Sequence, residues 1–188
     1  MTNAVVTGRV QIGKTTVCRA VIDLARKRGY CVRGILTPPV LDKTGARLGV
    51  EVLDLSNGER RLLARVCSPN AGPAFDPPGD WPRIGSHCFD PASLQWGADA
   101  VARAVAVGCD LLVIDEIGRL ELEQNTGYVG LLDLLATSVV PRSLLVVRAA
   151  LLDLFRRRLP ELRPIVFEVT AENRSALPVQ IAERLFLT

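Results

Sequence analysis

The chain has 188 residues, 48% hydrophobic and 23% charged, a balance that excludes a disordered or collagen-like polypeptide. Its 23 Lys and Arg stand against 20 Asp and Glu for a net charge of +3, and they are scattered, so nothing indicates a nucleic-acid surface. A chain of this length buries roughly 70% of its unfolded surface, enough for one domain over residues 1–188 with no need of disulfides or metal.

The first apolar run, Ala4 to Thr7, ends at Gly8. A helix follows from Lys14 to Arg28, with Val17, Val21, Leu24 and Ala25 on one face and Gly29 just past its basic last turn. Tyr30 to Leu36 is the next strand. Residues 41–66 break the pattern: Leu48 to Leu55 alternates, Ser56-Asn57-Gly58 is a turn signal, and Arg60 to Val66 carries the return strand of an antiparallel hairpin. Residues 67–83 hold Pro69, Pro73, Pro77, Pro78 and Pro82 and predict an irregular loop.

Asp90-Pro91 then opens a long helix closed by Gly108, with Leu94, Ala98, Val101 and Val105 as its buried stripe. Leu111 to Ile114 is continuously apolar, as a central parallel strand requires. Further strands are expected at 144–147 and 165–169, and helices at 128–136, 149–157 and 179–185. Alternating strands and helices predict a three-layer α/β fold, its sheet mainly parallel with the hairpin at one edge.

Cys18, Cys31, Cys67, Cys88 and Cys109 form no Cys-x-x-Cys pair, and His87 is the sole histidine, so no zinc site is expected. Five dispersed thiols read as reduced core residues of a cytosolic protein. The first residues lack the basic segment and apolar run of a signal peptide, and no stretch approaches the ~20 apolar residues of a membrane span. A soluble cytoplasmic protein is expected.

Gly8-Arg9-Val10-Gln11-Ile12-Gly13-Lys14-Thr15 fits G-x-x-x-x-G-K-T/S, the phosphate-binding loop. Its glycines let the backbone curl so that successive N–H groups meet phosphate oxygens, and the following helix adds its positive end. Lys14 would then neutralise the β- and γ-phosphates, the Thr15 hydroxyl would ligate Mg²⁺, and Thr16 would reach the α-phosphate. Asp115 and Glu116 close the strand from Leu111, and the two motifs are expected to meet at the carboxyl ends of adjacent strands. The carboxylates would divide the work, Asp115 holding the metal and Glu116 acting on the attacking water. Arg148, after the strand ending at Val147, is placed to neutralise γ-phosphate charge, or to serve as an exposed cap.

Asp115-Glu116-Ile117-Gly118-Arg119-Leu120-Glu121-Leu122 resembles the DEIGKMEL segment of the small P-loop nucleoside triphosphatases, the family typified by the human cancer-related enzyme. Gly34-Ile35-Leu36-Thr37 is similar to its GFYT, residues 45–50 to its GGRRIGF, and Arg83-Ile84-Gly85 with Asp90 to its RVGxYxxD. Thr170-Ala171-Glu172-Asn173-Arg174 matches its TxENR. The resemblance spans almost the whole chain. It implies Mg²⁺-dependent hydrolysis of ATP, GTP and other nucleoside triphosphates, with Asn173 and Arg174 near the base or ribose. The chain departs from the pattern at Val10 and Gln11 in the loop, at Pro38-Pro39 in place of an acidic pair, and at His87 in place of Tyr.

Two other readings stay open: a kinase passing the γ-phosphate to a nucleotide or other small acceptor, and a nucleotide-dependent switch. A guanine-specific GTPase is disfavoured, since no Asn-Lys-x-Asp occurs. Neither nucleic acid nor membrane is expected as a partner, and a monomer is favoured.

Overall fold

The protein is described here by a computed structural model covering residues 1–67, 81–137 and 140–187. The chain starts with β1 (Thr2–Thr7), α1 (Lys14–Lys27) and β2 (Val32–Leu36). The antiparallel part follows as β3 (Pro39–Leu41), β4 (Arg47–Asp54), β5 (Arg60–Val66), β6 (Arg83–Ile84) and β7 (His87–Phe89). The remainder is α2 (Pro91–Val107), β8 (Leu111–Ile117), α3 (Arg119–Leu122), α4 (Val129–Thr137), β9 (Arg142–Val147), α5 (Leu152–Arg158), β10 (Ile165–Glu168) and α6 (Leu177–Phe186).

One sheet joins the strands in the order β10-β1-β9-β8-β2-β4-β5-β7-β6, with β3 paired to β4. The pairs from β10 to β2 are parallel, and those from β2 outward are antiparallel. The continuous apolar run of β8 needs this arrangement, because both its faces are covered. Leu112 and Ile114 join Leu94, Val101, Leu132 and Phe155 from α2, α4 and α5. Leu111 and Val113 join Val17, Val21, Ile181 and Leu185 from α1 and α6. Period-two alternation along one buried strand thus fills two cores, one per face. Gly34 lets β2 lie against β8, since a Cβ there would stand 2.0 Å from the Val113 carbonyl oxygen. The Asp90 cap is formed as expected, accepting from the Ala92 N–H at 3.1 Å and the Ser93 hydroxyl at 2.7 Å.

The predicted hairpin is present as β4–β5, and the antiparallel part is wider than expected, because the β6–β7 ribbon adds to β5. Most of the proline-rich segment lies outside the described residues. Two expectations are corrected. The cysteines are not all reduced, for Cys67 and Cys88 form a disulfide with Cα atoms 5.9 Å apart. Antiparallel pairing sets Arg65 opposite Cys88 and Val66 opposite His87, so Cys67, just past β5 and bonded through its N–H to the Ser86 carbonyl, lies diagonally across from Cys88, 21 positions on in sequence. Nor are all the remaining thiols in the core: Cys18 is buried, Cys31 is exposed and Cys109 is half-buried. The second correction concerns the two motif strands. They are not adjacent, because β9 lies between β1 and β8. No described helix is long and apolar enough to cross a membrane.

Candidate functional site

The loop from Gly8 to Thr15 leaves β1 at the carboxyl edge of the parallel strands and curls into α1. Gly8 has φ 136°, and a Cβ there would come within 2.8 Å of the Val169 carbonyl oxygen. Gln11 takes φ 63°, the left-handed region, at a cost of roughly 1–2 kcal/mol for a residue with a Cβ. The curl therefore survives the departure at position 11. The α1 N-terminus begins at Gly13 with no side-chain cap, leaving its first N–H groups for a ligand. Lys14 Nζ donates to the carbonyls of Gly8 at 3.1 Å and Arg9 at 2.8 Å, folding over its own loop. Burial pulls the Lys14 pKa down, and the charges of Glu116 and Asp115 act against that pull.

Asp115 is 1% exposed on β8. Its carboxylate accepts from the Thr37 N–H at 3.1 Å, and the Thr37 hydroxyl donates to its carbonyl at 3.2 Å. The Thr15 side chain lines the same cavity and favours the charged form of this carboxylate. Burial pushes the Asp115 carboxyl up to about 6, with Thr37 and Thr15 pulling the other way. A buried carboxylate beside a hydroxyl, at the mouth of a phosphate loop, suits a small hard cation that keeps waters and phosphate oxygens as its other ligands. Among the described residues no cluster of three or more His, Cys, Asp or Glu competes as a metal cage. The donor set fits the Mg²⁺ that the resemblance implies.

Glu116 sits at φ 81°, an unusual conformation for a non-glycine residue. Arg148, next after β9, donates through Nε to Glu116 Oε1 at 3.0 Å, and its Nη2 reaches the same oxygen. The turn after Glu116 is tied by Glu121. That 4%-exposed carboxylate accepts from the Gly118 N–H at 2.8 Å and the Tyr128 N–H at 2.9 Å, and burial pushes its pKa up.

These groups border one cavity of about 520 Å³. Of the residues expected from sequence, Val10, Gln11, Gly13, Lys14, Thr15, Thr16, Asp115, Glu116 and Arg148 line it. Gly8 and Arg9 lend carbonyls to Lys14, and Ile12 packs against the α1–α6 core. Asn173 and Arg174 follow β10 at the same sheet edge but outside the cavity. The Asn173 amide is engaged within its own turn, accepting from the Thr170 N–H at 2.9 Å and donating to the Glu168 carbonyl at 2.8 Å. At the end of α5, Arg156 pairs with Asp153 and Arg158 reaches Asn125, and none of Arg156, Arg157 and Arg158 lines the cavity. Sequence reasoning passed over the opposite wall, where Pro39, Leu41, Ala46 and Arg47 of the β3–β4 turn face the loop. The family segment at 45–50 and the Pro38-Pro39 departure mark some of those residues without placing them at the site; the pairing of β3 with β4 brings them to it.

A parallel five-stranded core of the sheet, a phosphate loop after its first strand and an acid pair ending a nearby strand define the P-loop nucleoside-triphosphatase class. The particular family follows from comparison with known proteins. The sequence profile of the family described as NTPase matches residues 3–182. Nucleoside-triphosphatase THEP1 of Methanopyrus kandleri is 33% identical over 187 residues, covering 97% of this chain and 94% of the relative. The THEP1 protein of Methanosarcina barkeri is 31% identical over 186 residues, covering 98% and 97%. The solution structure of a human cancer-related nucleoside triphosphatase superposes with a TM-score of 0.73 at 26% identity, over 100% of this chain and 99% of that one. THEP1 of Aquifex aeolicus, at 19% identity and a TM-score of 0.69 over 98% and 99%, shares the fold. The chain belongs to this nucleoside-triphosphatase family and is an enzyme of that kind.

Proposed function

We propose that the protein hydrolyses nucleoside triphosphates, ATP and GTP among them, to diphosphate and phosphate with Mg²⁺, in the cavity between the loop and β8. The observation that carries this reading is the shared cavity: Thr15 of the phosphate loop and the buried Asp115 carboxylate of β8 line it together although β9 separates β1 from β8. Bound Mg²⁺ would supply charge neutralisation of the β- and γ-phosphates, held by the Thr15 hydroxyl and the Asp115 carboxylate. Lys14 would exchange the carbonyls of Gly8 and Arg9 for phosphate oxygens. The amides from residue 11 to 16 would cradle the chain of phosphates.

Glu116 would accept the proton of the attacking water as the bond from the γ-phosphorus to the β–γ bridging oxygen breaks. Arg148 holds Glu116. A γ-phosphate entering beside them would draw the guanidinium to itself and free the carboxylate for water. The strand order supports one direction for the substrate. With its γ end at Asp115 and Glu116, the nucleoside leaves on the β10 side of β1, toward Asn173 and Arg174. The Asn173 amide is already engaged within its turn, which supports broad tolerance of the base. This reading takes residues 1–188 as one cytoplasmic domain.

The test is phosphate release from ATP, GTP, CTP and UTP with and without Mg²⁺. Release should require the metal, occur with every base, and vanish in Lys14→Ala. Metal-independent release, or full activity in that variant, would overturn the reading.

A further inference from the structure

The cavity extends beyond the reacting end of the triphosphate. With the nucleoside directed toward β10, the wall formed by the β3–β4 turn lies past the γ-phosphorus, on the side from which a nucleophile must approach. The cavity measures about 520 Å³, and its far wall is built by Pro39, Leu41, Ala46 and Arg47.

That wall has the chemistry of a ligand site. Arg47 donates through Nε to the Gly49 carbonyl at 3.4 Å and forms no ion pair among the described residues. Its guanidinium, half-buried at the cavity edge, is a cation awaiting an anion. His87 belongs to the same neighbourhood. Its Nε2 is buried without a hydrogen-bond partner among the described residues, and Arg47, Glu116 and Arg148 all act on it electrostatically. Pro39 and Leu41 offer apolar surface for a carbon skeleton, and the carboxylates on this cavity are the catalytic pair on the opposite side.

We propose that the β3–β4 half of the cavity binds a small hydroxylated anion, anchored at Arg47 and set against Pro39 and Leu41, whose hydroxyl takes the γ-phosphoryl group in place of water. The proposal rests on the direction assigned to the triphosphate above. In the transfer the acceptor oxygen forms a bond to the γ-phosphorus and its proton passes to the Glu116 carboxylate. The bond to the β–γ bridging oxygen breaks, and the nucleoside diphosphate leaves with its electron pair. With no acceptor bound, water occupies the position and hydrolysis results.

The full chain is incubated with Mg²⁺ and ATP labelled in its γ-phosphate, with glycerol 3-phosphate, glycerate or uncharged glycerol. The first two arms distinguish a phosphate anchor from a carboxylate anchor. Label is expected on at least one anionic alcohol and not on glycerol. In Arg47→Ala that transfer should fall about tenfold or more, the scale of one lost charge-assisted contact, while hydrolysis without acceptor is unchanged. Arg47→Lys should retain part of it. Inorganic phosphate as the sole labelled product in every arm, or equal labelling of glycerol, overturns the acceptor site and leaves the hydrolase intact. Failure to form even inorganic phosphate overturns the hydrolase reading as well.

Discussion

The two walls of the cavity are built in different ways. On one side a continuous segment, Gly8 to Thr16, turns one peptide into a phosphate cradle, because neighbouring N–H groups converge when the backbone takes left-handed values at Gln11 and Gly13. On the other side the wall is assembled by sheet pairing: Pro39 lies opposite Val50 and Leu41 opposite Arg47. The first wall is a motif whose chemistry is fixed by its spacing. The second is a surface whose residues acquire a role only from the strand that carries them over the site. On the proposed reading, chemistry common to all nucleoside triphosphates falls to the local wall, and choice of acceptor falls to the assembled one.

Substitution divides the walls most sharply on the loop side. Lys14→Ala should lose about 10³-fold in kcat/KM, and Glu116→Gln should keep nucleotide affinity while kcat falls ~10² or more. Both are read by steady-state phosphate release beside equilibrium binding of a non-hydrolysable analogue. An undiminished kcat in the Gln variant would remove Glu116 from its role. Alanine at Leu41 should leave both quantities unchanged, and an equal collapse there would erase the contrast.

The brace beneath the acid pair sharpens the comparison next. Glu121→Ala leaves the Gly118 and Tyr128 N–H groups unpaired in a buried place. Stability should drop by about 2–4 kcal/mol, measured by urea unfolding, and kcat should fall at unchanged nucleotide affinity as Glu116 loses its fixed backbone. Retention of both values would show that the turn holds without its carboxylate.

A pH titration comes third. The folded pKa of Asp115, about 6, stands above its ordinary 3.8, so the fold binds this proton more tightly than the unfolded chain does. Metal-free stability should therefore decline as pH rises from about 4 to about 6 and then level off. Mg²⁺ competes with the same proton, so the metal concentration giving half-maximal activity should fall several-fold from about pH 5 to about pH 7. A flat profile would place the metal on another group.

The smallest effect belongs to the loop's own strain. Gln11→Gly relieves a left-handed residue and should stabilise the nucleotide-free protein by about 1 kcal/mol at most, seen as a rise in Tm, since glycine's extra unfolded-state entropy opposes the gain. A loss of stability would mean that the Gln11 side chain makes a contact worth more than its strain.

Much of this was legible before any fold was drawn. The 14-residue α1, the Asp90 cap, the buried run of β8 and the β4–β5 hairpin all follow from periodicity and turn chemistry within short windows. The misjudged features depend on neighbours far apart in sequence. The Cys67–Cys88 bond spans 21 positions, and β9, made from residues 142–147, inserts between strands made from the first and the twelfth decades of the chain.

The amino-acid order alone settled the phosphate loop, the identity of the acid pair and the three-layer class, because each is written in residues a few positions apart. Tertiary structure decided that Thr15, Asp115 and Arg47 would line one cavity, that Arg148 would hold Glu116, and that Glu121 would brace the turn. Short-range signals report what the backbone can do locally. Which side chains meet depends on strand order and on the burial that fixes it, and those are properties of the whole packed sheet.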